Sequence, residues 1–263
     1  HDKAEGRIRT MMSAHAIYTC TDKTLERVRY MAEEMGVPIH IHLSETQKEV
    51  TDCILKHKKS PPRYLRDLGI LDMPILAAHC VHVDEADMDI LAEYNVKAVH
   101  NPVSNLKLGS GIAPVPQMLS KGICVALGTD GASSNNNLSV LRELRQAALI
   151  HKGAAMDPTL VTAQQACRMA TVNGAQALFW KEEIGTLEVG KKADLILLDT
   201  TKPHWIPMQD PCAGLAYAAQ EGDIDTVIVD GNVLMENREL VSIDMEKISA
   251  KVQEIHDRIT NKQ

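Results

Sequence analysis

Aromatic residues are scarce in this 263-residue chain: one Phe, two Trp and five Tyr, 3% of the total. That scarcity argues against the stacking platforms on which single-stranded nucleic acids are held. Basic clusters are missing too. The Lys and Arg residues are scattered among a larger number of Asp and Glu, the net charge is −7, and no electrostatic footprint for a nucleic acid is expected. No apolar run approaches the ~18 residues that a membrane helix needs, and the first residues do not read as a signal peptide. Cys20, Cys53, Cys80, Cys124, Cys167 and Cys212 lie far apart with no Cys-x-x-Cys pair, so neither a thiolate zinc site nor a disulfide framework is indicated. Reduced thiols in the cytoplasm are the expectation.

What is present is an ordinary globular composition, 44% apolar and 24% charged, long enough for one large domain or one large and one small. Strand patterns fall at 8–12, 38–43, 74–78, 96–99 and 124–127. Helical patterns separate them: Thr21 or Asp22 caps a helix with Leu25, Val28, Met31, Ala32 and Met35 on one face, Gly36 and Gly69 mark stops, Asp84 caps a helix running to Tyr94, and Gly122 ends another. Further helices are expected near 139–151 and 159–173. Short apolar strands bracketed by helices are the signature of parallel βαβ units. After Glu183 the texture changes. An apolar strand at 195–198 and a hairpin across Asp230-Gly231-Asn232 precede a last helix from about Asp244 with Ile248, Val252, Ile255 and Ile259 on one face. The expected division is 1–184 and 185–263.

The informative residues stand where the strands end: His15, His42 with Glu45, His79, His100, and Asp130 in Gly-Thr-Asp-Gly at 128–131. In a parallel α/β barrel these carboxyl ends build the active site. A single strand-end His is more often a hydrogen-bonded structural residue, and Asp130 alone reads as a turn residue before Gly131. Five in register suit a metal-dependent hydrolase. His40 shares a strand face with His42, while His57, His82, His151, His204 and His256 read as surface or packing residues.

The segments His-Leu-Ser-Glu at 42–45, Ala-Ala-His-Cys-Val-His at 77–82, the run from His100 to Val115 and Leu-Gly-Thr-Asp-Gly-Ala-Ser-Ser-Asn-Asn at 127–136 resemble the amidohydrolase superfamily, in particular its branch of 5'-methylthioadenosine/S-adenosylhomocysteine deaminases. The resemblance implies a (β/α)8 TIM-type barrel, with Ile184 to Leu195 similar to the stretch where such chains leave the barrel for a small β-sandwich. It implies one divalent cation, zinc or iron, held by His42 and Asp130. Glu45 would shuttle a proton to the purine ring, His79 would orient the attacking water, and Asp130 would take a proton from that water. His15, Glu45 and Asp130 would contact the nucleoside. The family pattern differs around His15, where Ser13-Ala14 and Ile17 replace Gly-Pro and Pro. His40 matches no ligand position.

Spacing from His15 to Asp130 averages about 29 residues per unit, consistent with a barrel of about 250 residues in eight units. Only five strands are visible. If Asp130 follows the eighth, the chain carries strands 4–8, and the family's first-strand His-x-His pair lies upstream. Two matched ligands hold a metal weakly, so residues 1–263 alone are expected to bind it poorly. Other readings are a guanine or cytosine deaminase, a triazine chlorohydrolase, or a metal-free remnant with a structural role. The expected partner is a small-molecule nucleoside, with no nucleic acid or membrane; a homo-oligomer is compatible with the sequence.

Overall fold

A computed structural model describes residues 1–260. The chain runs β1 (Met12–Ser13), α1 (Asp22–Met35), β2 (Ile39–Leu43), α2 (Gln47–His57), α3 (Pro61–Asp67), β3 (Ile75–His79), α4 (Glu85–Glu93), β4 (Lys97–His100), α5 (Pro102–Lys107), α6 (Val115–Ser120) and β5 (Val125–Leu127). Then follow α7 (Ala132–Asn135), α8 (Val140–Ala155), α9 (Ala163–Ala170) and α10 (Val172–Ala177). The remainder holds β6 (Leu195–Leu198), α11 (Pro211–Ala213), β7 (Ile224–Val229), β8 (Asn232–Glu236), β9 (Glu239–Leu240) and α12 (Met245–Thr260).

β1 to β5 form one parallel sheet in chain order. Parallel neighbours need a crossover between them, and each helix here has a local reason to start and stop. Thr21 caps α1, accepting from the Thr24 backbone N–H, and Gly36 ends it at φ 63. Asp84 and Asp87 close a reciprocal capping box at the start of α4. One face of the sheet packs on these helices through Ile39, Ile41, Leu43, Ile75 and Val125, all buried. The opposite face carries His40, His42, Leu76, Ala78, Val99 and Ala126, and these line a cavity of about 320 Å³. The two-residue alternation of a strand therefore sends His40 and His42 to the same side, away from the helices.

The first strand is shorter than its sequence predicts and lies later. Ile8 makes only an isolated antiparallel bridge to Lys3, and β1 begins at Met12, whose N–H donates to the Pro38 carbonyl. Arg9 is drawn aside instead: its guanidinium lies 4.7 Å from the Trp180 ring centroid and donates to Glu183 at 2.5 Å. Beyond the parallel sheet, β6 to β9 make a four-stranded antiparallel sheet. The β7–β8 turn is the two-residue Asp230-Gly231, both with positive φ, and Asn232 already pairs with Val229. That geometry is the hairpin turn for which Asp-Gly is favoured. The apolar stripe of α12 forms as its spacing predicts, but none of the helix's residues is buried.

Candidate metal centre and active site

Three side chains meet at the carboxyl edge of the parallel sheet. His42, His79 and Asp130 each offer a ligand atom, and these atoms all lie within 4.8 Å of one another. Each is fixed from behind. The Nδ1–H of His42 donates to the His15 carbonyl at 2.7 Å, and that of His79 donates to Asn105 Oδ1 at 2.8 Å. In both rings a committed Nδ1–H leaves the Nε2 lone pair for a cation, the usual way an outer partner selects the ligating tautomer. Asp130 accepts from the Ser104 hydroxyl and from the Gly131 backbone N–H, both at 2.7 Å. Burial, the largest single influence on this carboxyl, pushes its pKa up, but those hydrogen bonds and the His79 imidazole outweigh it and hold it below the ordinary range. It stays ionised at neutral pH.

Two imidazole nitrogens and an ionised carboxylate are a donor set suited to zinc or iron. Their outward bonds are satisfied by protein and their inward lone pairs converge, so the residues present fit a divalent cation. His79 is a third donor beside the two ligands that the resemblance implies. His40 stays outside the trio, its ring centroid 5.9 Å from that of His42, and burial lowers its pKa.

Glu45 flanks the trio, with Oε2 3.9 Å from His79 Nε2. It is presented by a turn in which Ser44 adopts φ 50, and Glu49 holds that turn. The buried Glu49 carboxylate accepts from the backbone N–H of Ser44 at 3.0 Å and of Glu45 at 2.8 Å. His15 stands exposed at the rim, its ring centroid 5.0 Å from that of His42 and its Nδ1 2.8 Å from the Thr19 hydroxyl. His100 does not join the site. It is buried against His151, with Nε2 to Nε2 at 3.3 Å. His100 follows the strand alternation into a packed layer, whereas the next residue, Asn101, reaches the His79 ring at 3.5 Å.

Reading the sequence for strand-end ligands passed over the residues that orient them: Glu49, Ser104, Asn105 and Glu143. A signal existed for Glu49, because Thr46-x-x-Glu49 has capping-box spacing; the glutamate reaches past Thr46 to the two preceding N–H groups. Ser104 and Asn105 are fully buried polar residues on the short helix α5. Glu143 accepts from Val103 N–H at 3.1 Å and from the Asn135 amide at 2.6 Å, and that amide also holds the Thr129 carbonyl beside Asp130.

The amidohydrolase family model matches residues 1–234. The chain is 52% identical over 253 residues to a protein named 5-methylthioadenosine/S-adenosylhomocysteine deaminase from Thermoanaerobacter pseudethanolicus, covering 96% of this chain and 59% of that one. The same name belongs to a relative from Moorella thermoacetica, 53% identical, with 96% and 59% covered. Among solved structures, a zinc-bound adenosine deaminase from Xanthomonas campestris superposes with a TM-score of 0.95 at 36% identity, over 99% of this chain and 59% of that one. A zinc-bound atrazine chlorohydrolase from Arthrobacter aurescens gives 0.88 at 29% identity, over 94% and 55%. The chain thus spans about three fifths of the length of the curated relatives it matches.

Proposed function

Because the chain belongs to the amidohydrolase family, we propose that it carries the catalytic edge of a hydrolytic deaminase of adenosine-type nucleosides. The substrates would be 5'-methylthioadenosine and S-adenosylhomocysteine, and the products ammonia and the inosine analogue. The observation that carries this reading is the meeting of His42, His79 and Asp130 with Glu45 beside them, in a chain about half identical to relatives of that name. The triazine-type alternative shares the fold at lower identity. We further assign β1 to β5 to strands 4–8 of an eight-stranded barrel, residues 1–184 to that barrel and 185–263 to a sandwich-like portion with its helix.

His42 and Asp130 would hold one zinc or iron ion, and the free Nε2 of His79 would face the water beside it. A divalent cation bound there supplies Lewis acidity that brings the pKa of water to about 7. The remaining work belongs to the side chains. Carbon 6 of adenine becomes electrophilic only when the adjacent ring nitrogen is protonated, and Glu45 is the carboxyl placed to deliver that proton. Water adds its oxygen to carbon 6 while Asp130 accepts a proton from it. Asp130 passes that proton to the exocyclic amine, which leaves as ammonia as the carbon–nitrogen bond breaks, and the hydroxyl proton returns to Glu45 as the carbonyl forms. Two carboxyls with opposite proton duties are therefore needed. His79, locked by Asn105, directs the water, and His15 at the rim contacts the nucleoside.

The test compares residues 1–263 with a chain extended upstream to the relatives' length, measuring ammonia release and metal stoichiometry on both nucleosides. The extended chain should bind one equivalent of metal and turn over, and residues 1–263 should do both poorly. In the extended chain Glu45→Gln should keep the metal and lose roughly 10²- to 10⁴-fold in turnover. A zinc-loaded extended chain that releases no ammonia, or a Glu45→Gln variant with full turnover, defeats the assignment.

A further inference from the structure

We propose that Ser110 is a positioning residue for Glu45 and that His82 holds Ser110 in place. The kinetic side of this proposal rests on the deaminase reading; the geometric side does not. Ser110 sits in the loop between α5 and α6 and is tied at three atoms. Its N–H donates to the Asn105 carbonyl at 2.8 Å, its carbonyl accepts from His82 Nε2 at 2.7 Å, and its hydroxyl donates to Glu45 Oε1 at 3.3 Å. Glu45 is thereby divided between two neighbours, with Oε1 on Ser110 and Oε2 facing His79.

Most of the loop is open to solvent, and Ala113 near its end joins the core. Leu108 and Ile112 on either side of the serine are 54% and 42% exposed, whereas Ser110 itself is 6% exposed. Between them the serine is turned inward, toward the carboxylate. His82 links the two segments that meet there, because its backbone N–H donates to the carbonyl of Ser44, the residue before Glu45, at 2.9 Å while its ring holds Ser110. The close approach depends on Gly111, at φ 120, where a Cβ would come within 3.1 Å of Val81 Cγ1 and 3.7 Å of the His82 ring. Asn105 serves both sides: its side chain sets the His79 ring and its main chain sets Ser110.

A proton-transferring carboxyl must sit within hydrogen-bond reach of its target, and a displacement of about 1 Å costs on the order of 10²-fold in rate. A free glutamate samples many rotamers, and a hydroxyl on one of its oxygens removes most of them. The expected effect therefore falls on the chemical step rather than on substrate affinity.

In the extended chain, Ser110→Ala and His82→Ala should lower kcat about 10- to 100-fold, the range typical of partners one step behind a reacting group, with KM within about threefold. Ser110→Thr and His82→Gln, which keep the donors, should recover most of the loss. A raised KM with unchanged kcat would make the loop a substrate contact and overturn the proposal, as would a Ser110→Thr variant as slow as Ser110→Ala. A crystal structure of the zinc-loaded Ser110→Ala variant supplies the independent measurement. The Glu45 carboxylate should leave its place against His79 while His42, His79 and Asp130 stay; an unmoved carboxylate refutes the positioning role. Should the unsubstituted extended chain deaminate no adenosine-type nucleoside, the deaminase reading falls, and the position of Glu45 in that crystal still decides the proposal.

Discussion

His100 and His151 are taken out of water together, and the cost depends on pH. Burial, reinforced by the neighbouring imidazoles, holds the His100 pKa down at about 3, and burial with the Lys152 charge holds His151 at about 4. Both lie below the ordinary value near 6.5. Between about pH 6.5 and 4 the unfolded chain binds more protons than the folded one, so stability falls as pH is lowered through that window and is unaffected by the pair above it. His151→Gln removes one of the two titrations while keeping a hydrogen-bonding side chain beside His100. The urea midpoint of the variant should drop less between pH 7 and 4.5 than that of the parent. Parallel curves would show that these imidazoles do not carry the acid sensitivity. At the strand ends, by contrast, His42, Glu45, His79 and Asp130 were legible as residues because ligand-type side chains recur there.

At the scale of elements, short segments hold the site with bonds both within a βα unit and between units. Glu49 at the start of α2 gathers the N–H groups of the turn leaving β2, and α5 sends Ser104 to Asp130 and Asn105 to His79. The turn after β5 shows how closely these units approach. A Cβ on Gly128 would lie 2.6 Å from Asn101 Oδ1 and 2.7 Å from Val99 Cγ1, both on the neighbouring unit. Gly128→Ala should therefore cost about 1–3 kcal/mol, as overpacking does, measured by chemical denaturation. It should also loosen metal binding by pushing Asn101 against His79. A variant of parental stability would show that β4 and β5 separate more freely than their pairing indicates. Sequence periodicity anticipated β2 to β5 and their helices; it missed the start of β1, because an edge strand paired on one side yields to the pull of Trp180 and Glu183 on Arg9.

For the whole described chain, apolar surface is left over. Ile248, Val252, Ile255 and Ile259 form the stripe on α12 that their spacing demands, and they are between 37% and 61% exposed. Contiguous apolar patches of this kind are uncommon on monomeric proteins. Residues 1–263 in isolation should enhance the fluorescence of the hydrophobic dye ANS and self-associate, and Val252→Glu combined with Ile259→Lys should reduce both without lowering helix content. Equal dye binding by the double variant would place the adhesive surface elsewhere.

The sequence by itself determined the parallel α/β class, the strand-end positions and the chemical types gathered there, because alternation and capping are local and residue chemistry survives any fold. It also fixed His40 and His42 on one face, since a period of two leaves no other choice. The inward turn of His79 was decided only in three dimensions. Its strand register pairs it with Leu43, on the helix-facing side, and a regular strand would have buried it there. Positive φ at His79 and Cys80 breaks the alternation and brings the ring to His42 and Asp130. A left-handed residue at a strand end is stable only when its surroundings over-determine it; here Asn105, contributed from 26 residues further along the chain, fixes the ring.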